Sequence, residues 1–292
     1  MSDAVNTSHA CRICDSQSLH FHFEVAAQRL WRCESCGFTQ VEEEPTPEVL
    51  DNIYSSAYFT SSKYRGDSVA LNRENDRRLD LMKRWVSPGL EILDAGCSTG
   101  DFVAHAKNTY RMHGLDYSSF AIDLAKERNP ELSQSLKAGR IETTEWADKT
   151  FDAICLWDVI EHIWDPVSAV KDLITRIKPG GVILMSTPAI DSLMARASGR
   201  YWAFMTPPEH LSFFSLKAFH KLANSLQDCE IVYSSRRGKW ANVAFIAYKL
   251  GRIAPAWFPK LLLWPCFQWP LKKLSIYVPT ADVLYVVIRK QD

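Results

Sequence analysis

Ile92-Leu93-Asp94-Ala95-Gly96-Cys97-Ser98-Thr99-Gly100-Asp101-Phe102 is the stretch that decides the fold. An apolar strand runs into a turn of small residues and then into a helix. Small side chains let the main chain approach a ligand closely. The carboxyl end of a strand in an open α/β sheet is where ligands bind. Twenty residues after Gly96, Asp116 closes a second apolar stretch, His113-Gly114-Leu115-Asp116. A carboxylate there can accept two hydrogen bonds from a ribose diol. The turn lacks the G-x-G-x-x-G spacing needed beside a pyrophosphate, because Gly96 and Gly100 are four apart.

Outward from this turn the chain alternates strand and helix. Apolar patterning predicts strands at 91–95, 112–116, 132–138, 151–157, 182–186 and 230–234, with a last strand at 282–289. Helices are predicted at 102–108, 120–128, 166–177 and 216–226, with an earlier one at 67–86 that Ser87-Pro88-Gly89 stops. Such alternation implies a parallel sheet covered on both faces.

The 292 residues, 47% of them hydrophobic, suffice for one α/β domain and a small accessory module. Lys and Arg number 34, as do Asp and Glu, so the basic surplus usual in binders of long nucleic acid is missing. The polar N-terminus has no apolar core of a secretory signal, and no run of some 18 apolar residues occurs. The expectation is therefore a cytoplasmic protein. Its organisation is read as a module over 1–45, an aromatic and helical linker over 46–90, and the α/β domain over 91–292. An aromatic segment at 237–280 is inserted in that domain.

Two C-x-x-C pairs, Cys11-Arg12-Ile13-Cys14 and Cys33-Glu34-Ser35-Cys36, stand eighteen residues apart. This is the spacing of a zinc ribbon, in which each pair presents two thiolates to one tetrahedral ion. Gly37 suits the tight turn after the second pair. Four protein ligands leave no open position, so the metal is expected to be structural. Unbound thiols and a rubredoxin-like iron site are the alternatives. Cys155 and Cys229 read as small core residues.

Two further stretches give the α/β domain its identity: Phe151-Asp-Ala-Ile-Cys-Leu-Trp-Asp158-Val159-Ile-Glu161-His162-Ile-Trp-Asp165-Pro166, and Lys178-Pro-Gly-Gly181-Val-Ile-Leu-Met-Ser-Thr-Pro188. In this order the motifs resemble those of class I S-adenosylmethionine (SAM)-dependent methyltransferases. The nearest patterns are the ubiquinone-biosynthesis O-methyltransferases and the methyltransferases of bacterial sugar and glycan pathways. The resemblance covers residues 91–188 and reaches toward 234. It implies an α/β fold with a Rossmann-like, seven-stranded, mostly parallel sheet and helices on both faces, preceded here by the zinc ribbon.

The resemblance also implies a cofactor site. Asp94, Ala95, Gly96, Ser98 and Gly100 would line the methionine end of SAM. Asp116 would hold the ribose, with Tyr117 beside the adenine. Asp158 and Val159 would lie under the methionine moiety. Ser98 replaces the family's usual second glycine. In Ala138-Gly139-Arg140-Ile141, Arg140 stands where the family usually has an acid for the adenine amine. Arg140 either stacks on the base or leaves that contact unmade, with Ile141 beside it.

Methyl transfer to a hydroxyl needs an aligned nucleophile and a base near neutral pKa, which suits histidine. His162 follows Glu161 after the fourth strand. His210 lies in Thr206-Pro207-Pro208-Glu209-His210-Leu211-Ser212-Phe213-Phe214-Ser215. That loop resembles a motif of zinc-bearing sugar C-methyltransferases and their O-methylating relatives. The C-methylating group has a tyrosine where Pro207 stands here, so O-methylation and a basic His210 are expected. Glu209 would orient the His210 ring. Each histidine also has a plainer reading: His210 tying down its loop, His162 shaping the pocket.

Tyr54, Tyr58 and Phe59 suit either a lid over the acceptor or a strip packed on the sheet. The Trp- and Pro-rich segment 252–279 is too short and broken to span a bilayer. It could touch the inner membrane face peripherally, or pack on the domain or on a second subunit of a homodimer. The acceptor is expected to be a small hydroxylated metabolite or a sugar or glycan precursor. The rival readings are an RNA methyltransferase and a non-catalytic SAM-binding scaffold.

Overall fold

The computed structural model describes residues 10–46, 48–49, 53, 68–140, 144, 146, 148–244, 246–247, 264–268 and 274–291. Tyr54, Tyr58, Phe59, Ile141 and most of the segment 252–279 lie outside these residues, so the expectations placed on them are untouched.

The N-terminal module is a hairpin of β1 (Leu19–Val25) and β2 (Gln28–Cys33), followed by β3 (Thr39–Val41). Ala26 and Ala27 turn the hairpin with φ of 50° and 60°. Two positive φ values match the right-handed twist of the strands, although alanine is a strained choice there. The module is not a detached bead. Its sheet runs β1-β2-β3-β9, where β9 (Ser212–Phe213) comes from the far end of the chain. Phe38 packs edge-on against Phe214 at 5.0 Å, and Ser215 Oγ donates to Cys36 O at 2.6 Å.

The α/β domain begins with α1 (Ser68–Met82), inside the expected 67–86. Then follow β4 (Glu91–Ala95), α2 (Asp101–Ala106), β5 (Arg111–Asp116), α3 (Ser119–Arg128), β6 (Leu136–Ala138), β7 (Phe151–Trp157), α4 (Pro166–Thr175), β8 (Ile177–Pro188), α5 (Leu193–Ser198) and α6 (Leu216–Ser225). The chain ends in a long hairpin of β10 (Cys229–Asn242) and β11 (Ser275–Lys290). The sheet order is β10-β11-β8-β7-β4-β5-β6. Only β11 runs antiparallel to its neighbours, so the sheet is seven-stranded and mostly parallel.

Both faces of the central strands are buried. On β7, Phe151, Ile154 and Leu156 pack with Val170, Phe219 and Leu222 from α4 and α6. Ala153, Cys155 and Trp157 pack on the other face with Met82, Phe102 and Ile122 from α1, α2 and α3. This explains why the central strands read as continuous apolar runs rather than alternating ones.

Two boundaries differ from the expected ones. The predicted strand 132–138 starts only at Leu136, because Pro130–Ser135 forms a 3-10 turn. Pro130 fixes a helical φ, and Ser133 Oγ donates back to Pro130 O at 2.6 Å. The last two strands are much longer than 230–234 and 282–289. They pair from Cys229↔Lys290 out to Asn242↔Ser275, so strand enters the stretch 237–280 from both ends. Close approach permits this at Gly238, where a Cβ would stand 1.9 Å from Val278 O. Within 252–279, Trp264–Phe267 forms a 3-10 turn with Trp264 61% exposed. Among the described residues no helix is long and apolar enough to cross a membrane.

Candidate functional site

The small-residue turn folds as its composition demands. Gly96, Ser98 and Gly100 have φ of 85°, 49° and 74°. Gly96 N and Cys97 N both donate to Leu115 O, at 2.7 and 3.0 Å, tying the turn to the end of β5. A Cβ at Gly96 would stand 2.5 Å from Val159 Cγ2, so the turn and the end of β7 are in close contact. Asp116 sits between them and α3. Its Oδ2 accepts from Ser98 N at 2.8 Å and its Oδ1 from Ser118 N at 2.9 Å. Burial raises the pKa of Asp116 even though both bonds favour the carboxylate. Gly96 and Asp116 are thus brought together.

Asp94, at the end of β4, is 2% exposed, and its Oδ1 is buried without a hydrogen-bond partner. Burial lifts its pKa to about 7, with Asp116 adding and Arg78 opposing. A buried, unpartnered acceptor on the strand that leads into a turn of positive-φ residues suits a cationic, hydrogen-bonding ligand, as the amine of a methionine moiety would be. Tyr117 is 65% exposed at the rim, and Arg140 is exposed just beyond Gly139, whose N donates to Asp116 O at 2.8 Å. The observed cradle therefore fits an adenosyl-amino acid.

Asp158 ends β7 in the left-handed region, φ 57°. Its Oδ1 accepts from Ser186 Oγ at 2.8 Å and its Oδ2 from Arg78 Nη2 at 2.6 Å. Arg78 comes from α1 and also lies over the Trp157 ring, 5.6 Å from its centroid. Sequence patterning missed it. An arginine on an amphipathic helix reads as solvated, and its partner is 80 residues away. Lys239 is a second such cation, with Nζ 4.0 Å from the Phe204 centroid. Burial lowers its pKa, against Asp282, Asp158 and Glu74.

The expected acceptor-side residues adjoin this cradle. Glu161 is buried, and its Oε2 accepts from Thr187 Oγ1 at 2.9 Å. Burial, then Asp158, pushes its pKa well above the usual carboxylate range. His162 Nδ1 donates to Glu209 O at 2.7 Å, and His210 Nδ1 donates to Phe204 O at 2.8 Å. A carbonyl partner places the proton on Nδ1, which makes Nε2 the basic nitrogen of each neutral ring. The rings meet edge to face, centroids 4.8 Å apart. Glu209 offers its main-chain oxygen to His162, and Phe204 O holds Nδ1 of His210. One ligand atom from each of Glu161, His162 and His210 lies within 4.8 Å of the others, so this trio could also hold a metal.

The four ribbon cysteines converge as their spacing predicts. Sγ of Cys11 lies 3.6 Å from that of Cys36, and Sγ of Cys14 lies 3.7 Å from that of Cys33. All four sulfurs fall within 4.8 Å of one another. Four sulfurs at tetrahedral-edge spacing fit one thiophilic ion such as zinc.

Comparison with known proteins gives one consistent answer. A family model described as "Methyltransferase domain" matches residues 69–232. The ubiquinone biosynthesis O-methyltransferase of Alkalilimnicola ehrlichii is 31% identical, over 42% of this chain and 52% of its own. Phosphoethanolamine N-methyltransferase 1 of Triticum aestivum is 36% identical, over 54% of this chain and 32% of its own. The chain spans less than two thirds of the length of the first curated relatives it matches. Magnesium protoporphyrin IX methyltransferase from Synechocystis, solved with bound S-adenosylhomocysteine (SAH), superposes with a TM-score of 0.55. The match covers 84% of this chain and 100% of that one at 12% identity. At that identity the likeness concerns the fold.

Proposed function

The chain belongs to the methyltransferase-domain family, a class I SAM-dependent methyltransferase by its fold and motifs, and from that premise we propose that it methylates a hydroxyl of a small metabolite or a sugar or glycan precursor. The carrying observation is adjacency. The Gly96–Gly100 turn and Asp116 make the cofactor cradle, and the His162–His210 pair stands beside it across Asp158 and Glu161.

Bound SAM supplies an electrophilic methyl on a sulfonium whose sulfur leaves with the bonding pair. The chain's own part is to bind, align and take a proton. Asp94 answers the amine of the methionine moiety, and Asp116 the ribose hydroxyls. His210, held with Nδ1–H on Phe204 O, offers Nε2 to the acceptor hydroxyl and takes its proton as the oxygen attacks. His162 packs against it and fixes the ring plane. The hydroxyl preference is supported by this carbonyl-anchored histidine pair, because a hydroxyl must give up its proton as it attacks. The four ribbon thiolates hold a structural zinc.

The test is methyl transfer from labelled SAM to a panel of nucleotide sugars, glycans, quinol precursors and small amines. His210→Ala should abolish turnover while leaving SAM affinity unchanged. Full activity in His210→Ala would remove the base assignment, and transfer to amines alone would overturn the hydroxyl reading.

A further inference from the structure

Arg12 sits between two ribbon cysteines, yet its guanidinium leaves the ribbon. Nη1 donates to Trp164 O at 2.9 Å and Nη2 to Leu211 O at 2.8 Å. Its Cζ lies 3.8 Å from the centroid of the Trp164 ring. Trp164 is two residues past His162, and Leu211 is one past His210. One side chain thus bridges the two segments that carry the histidines.

Those segments have little regular structure to hold them. His162 ends a three-residue 3-10 turn, Ile160–His162, and His210 lies in irregular chain just before the two-residue β9. Besides the His162–Glu209 bond, they are laced by Leu211 N to Glu161 O at 2.8 Å and Ser212 Oγ to Ile163 O at 3.0 Å. Arg12 braces this lacing from a third part of the chain.

The guanidinium's hydrogen-bond partners are neutral carbonyls, with Cys11, Asp165 and Glu44 acting on it only through space, so an apolar side chain would fill the site without desolvating a charge. The Arg12 Nε is even left buried without a partner. What the planar fork supplies is register: two donors at fixed spacing, with the plane stacked on an indole. Lysine cannot do all three.

We propose that Arg12 is a positioning residue. It locks the His162 and His210 segments in the register that sets the ring pair, so that the ribbon serves to hold the acceptor side of the site. This rests on the assignment of the histidine pair above.

The test uses the full zinc-loaded chain labelled with 15N-histidine, as wild type, Arg12→Met and Arg12→Lys. Wild type should show both rings as the Nδ1–H tautomer. Both variants should keep their metal content and their SAH affinity, since no Arg12 contact reaches the cradle. At least one of the two rings should turn into a mixture of tautomers, and kcat should fall by about tenfold or more at unchanged KM for SAM. Lysine should not rescue, because charge alone does not set the register. If Arg12→Met does not fold, Arg12→Lys is read by the same spectrum. Unchanged His162 and His210 resonances in the folded variants would overturn the proposal and leave Arg12 as a mere fastener of the ribbon. Absence of methyl transfer in wild type would count against the hydroxyl-methylation reading alone, because the tautomers are read without turnover.

Discussion

Nη2 of Arg78 lies 2.6 Å from Oδ2 of Asp158, joining α1 to the end of β7 across 80 residues. The arginine side chain is 11% exposed and the aspartate 48%. The same cation opposes the charge on Asp94 and Glu161. Helix α1 therefore closes one wall of the cradle electrostatically as well as by packing.

Arg78→Met should accordingly cost more than a surface pair would. Asp158 is half solvated, which screens its share, but Asp94 and Glu161 lose a buried counter-charge. A loss of about 1–3 kcal/mol in urea unfolding is expected, together with weaker SAH binding. Unchanged stability and affinity would show that the pair is incidental.

The turn itself is tested by Gly96→Ala. The left-handed φ of 85° alone should cost about 1–2 kcal/mol, and the new methyl would meet Val159. Adding Val159→Ala should relieve the clash but not the strain, recovering only part of the melting temperature and of the SAH affinity. Full recovery in the double variant would argue that backbone strain at this position is absent.

Asp94 gives the apoprotein a pH dependence of definite sign. Its folded pKa of about 7 lies above the ordinary aspartate value. The folded state therefore holds the extra proton, and stability is lost as pH rises from about 4 to about 7, with each tenfold difference in proton affinity between the folded and unfolded chain worth about 1.4 kcal/mol. Glu161 acts in the same direction. Arg78, Asp116 and the thiols of Cys97 and Cys155 are the groups that face Asp94. Asp94→Asn should flatten, though not abolish, the fall in unfolding free energy across this range. Since a bound ammonium favours the carboxylate, SAH binding near pH 6 should release protons, seen as a buffer-dependent enthalpy. A stability profile that rises over the same range would contradict the sign.

The ribbon should carry one metal. Elemental analysis is expected to find zinc at one per chain, and chelation should add four reactive thiols to those titrating before. Cys14→Ser should lose the metal. Because β3 pairs with β9, the loss should also disturb the resonance of His210. A four-cysteine module that titrates freely in the purified protein would overturn the site.

Much of this could be read from residue order. The strand at Glu91–Ala95, its glycine turn, Asp116 and the apolar run at Phe151–Trp157 follow from local pattern, because central parallel strands are buried on both faces and their neighbours in sequence build the turns. The four cysteines were legible for the same local reason. Arg78, Arg12 and Thr187 were not. Their partners lie 80, 152 and 26 residues away, and a lone arginine or threonine carries no period that betrays burial. The main-chain bond of Glu209 to His162 was equally hidden, because a backbone oxygen carries no sequence signal. The length of the β10–β11 hairpin is not legible in residue order, because Gly238 and the mixed polar residues around it break the strand pattern.

Titration of SAH into the purified chain by calorimetry bears most directly on the central claim, that the turn at Gly96 and the carboxylate of Asp116 form an adenosyl-amino-acid cradle. Saturable binding of one molecule per chain is expected, lost in Asp116→Ala and strongly weakened in Gly96→Ala, with both variants still folded. No binding by wild type, or binding that ignores both substitutions, would contradict it.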